Sequence, residues 1–220
     1  MQQRGRIEEE IWHNLHSTCC QYVLDNACRN YDPAFPTKSK ALAAEDTNIE
    51  VILYGSPTMR RSIVLSDRAI EALVAFSWYR CDNTKPNLEI AKHAVSTAKA
   101  FRIKSYIASS LWCFGVTYKL LGDCRAAYGH LQEAYRLFIA LLPGDLKLQQ
   151  LCCRCGNDLI QVGVANSTFE DSDKGVFSLV RDVEKQIATG TVLDDLVHAL
   201  SVITVGVVVE DPQEAWSMPS

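Results

Sequence analysis

The stretch of residues 109–145 constrains the fold of this chain more than any other part of the sequence. Its first half carries one apolar helical face, formed by Trp112, Phe114, Gly115 and Tyr118. Its second half carries another face, formed by Ala127, Leu131 and Ala134, and a break at Gly122-Asp123 separates the two. The second face ends at Pro143, because proline disrupts a helix. Since small residues allow close approach, this spacing predicts two helices packed as a hairpin.

The preceding stretch repeats this spacing. Ala91 and Ala98 are seven positions apart, as are Ala127 and Ala134, and the two pairs are about 36 positions apart. Small residues at equal phase indicate an internal repeat, for which periods of about 20–50 residues are typical. A third unit with a weaker match begins at Leu146. The chain is therefore predicted to repeat one helix pair.

The order of these residues resembles a tetratricopeptide (TPR) repeat, with W-x-x-G-x-x-Y followed by G-D, A, A and P. In this chain the positions are Trp112, Gly115, Tyr118, Gly122-Asp123, Ala127, Ala134 and Pro143. The resemblance covers about residues 66–188 and is specific over residues 109–143. The stretch AYRLFIALLPGDLKLQQLCCRCG is also similar to TPR-type regions of large fungal multidomain proteins. The resemblance implies a right-handed superhelix of stacked helix pairs whose groove holds a peptide or a partner helix.

We therefore predict an all-α fold, an α-solenoid of stacked antiparallel helix pairs with an extra N-terminal helix. Residues 1–48 are predicted to form the N-terminal helix and a linker, and residues 49–220 the TPR-like domain. The predicted pairs lie at about residues 66–101, 109–142 and 146–188, with a terminal helix at about residues 191–209. Ser66-Asp67 and Asn87 are the predicted N-caps of the two helices in the first pair.

The N-terminal part of the chain divides into three segments. Apolar residues recur at helical spacing and predict a helix over Ile7–Cys28. Two prolines, Pro33 and Pro36, predict a loop or linker over Tyr31–Asn48. The apolar run Ile49–Tyr54 fits either a strand or a buried helical turn. We favour the helical turn because the rest of the chain is predicted to be helical.

Composition excludes some partners and compartments. The formal net charge of −4 gives no overall attraction to nucleic acid or to an anionic membrane. The N-terminus lacks the apolar core of a signal peptide, and the most apolar run, Val202–Val209, is shorter than the ~20 residues that span a bilayer. We therefore expect a soluble intracellular protein, cytoplasmic rather than nuclear. The nine cysteines are expected to be reduced core residues rather than a disulfide framework.

The resemblance also implies which residues face the groove. They include Glu71, Trp78, Trp112, Val116, Lys119 and Asn157. Some TPR modules bind acidic C-terminal tails through lysines and asparagines, but here only Lys119 and Asn157 have the required chemistry. We therefore expect an apolar or mixed groove in which Trp78 and Trp112 anchor the partner. The alternative is that both tryptophans belong to the core.

Three clusters of side chains could bind a metal or take part in catalysis. His13, His16 and Cys20 share one helical face and form a potential metal set, although surface or core histidines also explain this spacing. The cysteines at positions 152, 153 and 155 could form a metal or redox site, but they are expected to pack within a helix. Asp194-Asp195 with His198 resembles half of a magnesium–carboxylate motif, and the alternative is an acidic first turn of a helix. We predict no metal and no cofactor.

The predicted function is a non-catalytic protein–protein interaction module that presents a concave helical groove to a peptide or partner helix. The alternative is a small all-α enzyme or ligand-binding domain with a pocket near Asp194, Asp195 and His198. An open groove favours the first function. A deep, enclosed cavity with convergent carboxylates and histidines favours the second.

Overall fold

The computed structural model describes residues 2–54, 66–141 and 146–167. These ranges contain seven helices and no strand, so the prediction of an all-α fold is confirmed for them. The helices are α1 (Gln2–Asn26), α2 (Phe35–Tyr54), α3 (Asp67–Asp82), α4 (Leu88–Phe101), α5 (Lys104–Leu120), α6 (Cys124–Leu141) and α7 (Leu146–Ser167). The predicted second helix of the third pair and the predicted terminal helix lie outside the described residues.

The caps predicted for α3 and α4 are confirmed. The Ser66 hydroxyl oxygen accepts a hydrogen bond from the backbone N–H of Ala69, and the Asn87 side chain accepts from Glu89 and Ile90. Each cap satisfies N–H groups that have no partner within the helix. The predicted turn between α5 and α6 is also present, with Gly122 at a φ of +85° that glycine adopts without strain.

The close contact predicted between α5 and α6 is centred on Gly115. A Cβ atom added to Gly115 would lie 2.6 Å from Cγ of Leu131 and 3.2 Å from its backbone nitrogen. The paired alanines of α6, Ala127 and Ala134, are fully buried. The missing side chain at Gly115 therefore allows Leu131 to enter the surface of α5.

Helices that are adjacent in the chain from α3 to α7 pack against each other. In addition, α1 contacts α3, α3 contacts α5, and α5 contacts α7. Alternate helices are thus neighbours, which brings residues from α1, α3, α5 and α7 next to one another. Helix α2 packs mainly on α1 and also contacts α3 and α4.

The loop predicted for Tyr31–Asn48 is wrong, because most of it belongs to α2. Pro36 is the second residue of this helix, where proline is well tolerated since the first turn needs no donor from it. Leu42, Ile49 and Leu53 are the buried residues of α2, and the helical turn favoured for Ile49–Tyr54 is its C-terminal end. The predicted domain boundary after residue 48 therefore falls within one helix.

Helix α1 uses only part of its predicted apolar face. Cys19, Cys20 and Val23 are buried, whereas Ile7, Ile11 and Leu15 are 55%, 59% and 41% exposed within the described part of the protein. The helix ends at Asn26, close to the predicted end at residue 28. None of the helices in the described ranges has the length and apolar character that crossing a membrane requires.

Candidate functional site

The site we consider is a cleft bounded by α1, α3 and α5, which we call the α1–α3–α5 cleft. Its volume is about 420 Å³. It is lined by Leu24, Ala27, Cys28, Arg29, Glu71, Val74, Ala75, Trp78, Tyr106 and Ser109. These residues converge because α1, α3 and α5 are neighbours in the fold. Apolar side chains form most of the lining, and polar atoms come from Arg29, Glu71, Tyr106 and Ser109.

Two of the six predicted groove residues, Glu71 and Trp78, line this cleft. Glu71 is exposed at its edge and accepts a hydrogen bond of 2.8 Å from the Tyr106 hydroxyl. Burial of the phenol and, to a lesser extent, this hydrogen bond raise the pKa of Tyr106 to about 12. The phenol therefore remains a donor at physiological pH, and the Glu71 oxygen remains its acceptor.

Trp112 and Val116 are buried and do not line the cleft. Trp112 is 2% exposed, and its ring meets that of Trp78 edge to face at 4.7 Å between centroids. Its indole N–H donates to Oδ2 of Asp158 on α7 at 2.8 Å. Buried indoles usually find such an acceptor. In this structure Trp112 therefore joins α5 to α7, and Val116 is buried on the same helix.

Lys119 and Asn157 lie at the contact between α5 and α7. The Lys119 ammonium donates to Oδ1 of Asp158 at 3.0 Å and also to the Gln161 side chain. Gln161 in turn donates to the Asn157 side chain at 3.2 Å. The Lys119 charge is thus already matched by a carboxylate of the same chain. This arrangement differs from the clamp that would leave lysines open to an acidic tail.

A residue that the sequence analysis did not single out, Arg29, fills one end of the cleft. Its guanidinium carbon lies 3.6 Å from the centre of the Trp78 ring and 5.6 Å from that of Trp112. Its Nε atom donates to Oδ2 of Asp82 at 2.9 Å. The Asp82 side chain is only 7% exposed, and the backbone N–H of Asn30 donates to the same oxygen at 3.3 Å. A cation–π contact and an ion pair therefore hold Arg29.

Tyr31 continues this contact across the fold. Its ring centre is 5.9 Å from the guanidinium carbon of Arg29 and 4.0 Å from that of Arg154 on α7. The segment that connects α1 to α2 (residues 27–34) thus runs from the end of α1 across α3 and reaches α7. No pattern in the sequence indicated this, because Arg29 and Asp82 are 53 positions apart and Arg29 lies in no regular element.

No protein-family model, curated protein or solved structure matched the chain in the comparisons.

The potential metal set on α1 is divided by burial. His16 and Cys20 are buried, with 3.6 Å between His16 Nδ1 and Cys20 Sγ, whereas His13 is exposed. Burial, and to a lesser extent the nearby His13, lowers the pKa of His16. No group of three metal-binding side chains occurs in the ranges that the structure describes. Asp194, Asp195 and His198 lie outside them.

The cysteines are free, and most of them are buried. Burial raises the pKa of Cys19 and of Cys152 to about 12, so both remain uncharged thiols at neutral pH. The Cys155 thiol donates to the backbone oxygen of Leu131 at 3.7 Å. These cysteines therefore act as small core residues, as their helical spacing predicted.

Proposed function

We propose that this chain is a non-catalytic protein–protein interaction module and that it binds a peptide or a partner helix at the α1–α3–α5 cleft. The observation that carries the proposal is the convergence of side chains from three helices on one cleft of about 420 Å³. Val74, Ala75 and Trp78 supply an apolar floor, and Glu71 supplies a charged edge. An apolar floor with a few polar groups is typical of binding sites, since burial provides affinity and polar contacts provide orientation.

A TPR-like arrangement is part of the proposal, and the contacts between alternate helices support it. In such a stack, α3 pairs with α4, α5 pairs with α6, and α3, α5 and α7 line one side. We further propose that α1 and α2 form an additional pair instead of a single extra helix, because α1 contacts α3 just as α3 contacts α5. The partner is a protein or peptide rather than nucleic acid or a membrane, and the location is intracellular. The enzyme alternative rests on Asp194, Asp195 and His198, which lie outside the described residues.

The test uses a substitution that fills the cleft and leaves the buried core residues unchanged. Ser109 is partly buried at the cleft, so Ser109→Phe places a ring in the space that the partner would enter. Ser96 is exposed on α4, and Ser96→Phe is the matched control. Proteins recovered with each full-length variant from the cell of origin are quantified by mass spectrometry against the wild type.

We expect Ser109→Phe to lose at least one partner, about tenfold or more in recovery, because a filled cleft excludes the partner's side chain. Ser96→Phe should retain that partner, and both variants should keep the wild-type circular dichroism spectrum. Equal recovery of every protein by the three chains would overturn the proposed binding site.

A further inference from the structure

In the described structure, Arg29 stacks on Trp78 and pairs with Asp82. We propose that Trp78 and Asp82 form a guanidinium-binding site for an arginine of the partner peptide, and that Arg29 occupies this site in the isolated chain. The inference rests on the function proposed above and names the chemistry of the partner.

The site fits a guanidinium group in shape and in charge. The flat face of Trp78 lies 3.6 Å from the guanidinium carbon, and Oδ2 of Asp82 lies 2.9 Å from Nε. Arginine combines a planar cation, which stacks on an aromatic ring, with N–H groups in a fixed fork. Lysine offers a compact, strongly hydrated charge that cannot stack in this way. Because the Asp82 side chain is 7% exposed, it requires a cationic partner from somewhere.

A second contact indicates the order of residues along the bound segment. Tyr31, two residues after Arg29, places its ring 4.0 Å from the guanidinium carbon of Arg154 on α7. Aromatic and guanidinium groups therefore alternate from Trp78 through Arg29 and Tyr31 to Arg154. A partner segment with arginine followed two positions later by an aromatic residue would make the same contacts. We infer that this is the partner's pattern.

The internal ligand is held in a way that permits exchange. Tyr31 is 59% exposed, and Asn30 is exposed as well, so the segment lies at the surface. Helix α2 is attached independently, through the Tyr22 hydroxyl to the Ala41 oxygen and through Arg80 to Asp46. Arg29 can therefore leave Trp78 while α2 keeps its position. Since Arg29 also lines the α1–α3–α5 cleft, a partner bound there lies next to the site.

The test uses a fluorescein-labelled peptide that copies residues 27–34, with Cys28→Ser to prevent disulfide formation. Its binding is followed by fluorescence anisotropy on the full wild-type chain, on Arg29→Ala and on Arg125→Ala. Arg125 is exposed on α6 and serves as the matched control. An occupied site weakens the apparent affinity in proportion to the fraction of open molecules. We therefore expect Arg29→Ala to bind the peptide at least about tenfold more tightly than the other two chains.

Two further arms separate recognition of arginine from simple charge attraction. A peptide with Arg29→Lys should bind the Arg29→Ala chain at least about fivefold more weakly than the arginine peptide. The Tyr31→Ala chain keeps the Arg29–Asp82 pair and should show a smaller gain than Arg29→Ala. It also gives a folded comparison if thermal unfolding shows that Arg29→Ala does not fold.

Equal affinity of the peptide for wild type, Tyr31→Ala and Arg29→Ala would overturn the proposal, as would equal affinity of the lysine and arginine peptides. A wild-type dimer that disappears in Arg29→Ala would assign the site to a second copy of the chain instead of a partner peptide. If the peptide shows none of the expected affinity differences while Ser109→Phe still loses its partner, only the proposal of a guanidinium site is wrong. If Ser109→Phe loses nothing, the proposed function itself is wrong.

Discussion

At the residue scale, the contact between Gly115 and Leu131 leaves no room for a side chain at position 115. Leu131 is fully buried, and an added Cβ at position 115 would meet its branch point Cγ at 2.6 Å, its Cδ2 at 2.8 Å and its backbone nitrogen at 3.2 Å. Any side chain at position 115 must therefore push α6 away from α5.

We predict that Gly115→Ala destabilises the protein by up to about 2 kcal/mol. Overpacking costs about 1–3 kcal/mol, and the better helix propensity of alanine returns about 1 kcal/mol. The matched control is Gly129→Ala on α6, where an added Cβ meets nothing within 4 Å. That change should stabilise the protein by about 0.5–1 kcal/mol. Urea denaturation measures both, and a stabilised Gly115→Ala would refute the close contact.

Packing residues such as Gly115 can be predicted from the sequence, whereas residues of the Arg29 site cannot. Gly115 stands within an apolar helical face, so its role in packing follows from local spacing. The Arg29 site is made by three residues from separate parts of the chain, and no periodicity links Arg29 to Trp78 or Asp82. Trp112 lies between these two cases. Its helix and its apolar face were predictable, but its burial next to Arg29 was not.

At the scale of the element, helix ends decide which predictions succeed. The boundaries of α4 were predicted because Asn87 caps its start and the apolar spacing stops at Phe101. Helix α2 was missed because Pro36 was interpreted as a helix breaker, whereas it lies in the first turn. Its apolar face is also sparse, with Leu42, Ile49 and Leu53 as the buried residues.

The C-terminal end of α4 offers a test of helix-end chemistry. Arg102 adopts a left-handed conformation with φ of 59°, and its N–H closes the helix on Ala98 and Lys99. A left-handed residue with a side chain costs about 1–2 kcal/mol, and glycine loses about 0.5–1 kcal/mol through its greater freedom when unfolded. We predict that Arg102→Gly stabilises the protein by about 0.5–1 kcal/mol.

The control for Arg102→Gly is Ala100→Gly, which places the same residue two positions earlier, inside the exposed last turn of α4. Glycine there should destabilise the protein by up to about 1 kcal/mol. Thermal unfolding followed by circular dichroism compares the two variants with the wild type. If both variants lose stability equally, the strained cap does not limit the stability of α4.

At the scale of the whole molecule, the sequence predicted the helices and their order better than the contacts between distant helices. Apolar periodicity determines which face of each helix is buried, and short turns keep consecutive helices together. The contact of α5 with α7 depends instead on polar groups about 40 residues apart, such as Lys119 with Asp158. The course of residues 27–34 towards α7 depends on Tyr31 and Arg154 in the same way.

Asp158 is the residue through which this distant contact can be measured. It accepts from the buried Trp112 indole and from Lys119, and its own side chain is 23% exposed. Asp158→Ala leaves the indole N–H without an acceptor, which costs about 1–3 kcal/mol. Asp158→Asn keeps an acceptor and should cost less. As a control, Glu133→Ala removes the exposed Lys99–Glu133 pair, which should contribute less than about 1 kcal/mol.

If Asp158 joins α7 to the rest of the fold, its loss should affect α7 before the other helices. We predict that hydrogen exchange of backbone amides in residues 146–167 becomes at least about tenfold faster in Asp158→Ala, because each 1.4 kcal/mol of lost stability changes the opening equilibrium tenfold. Amides of α3 and α4, which contact no part of α7, should change much less. Uniform acceleration throughout the chain would show instead that the described helices open as one cooperative unit.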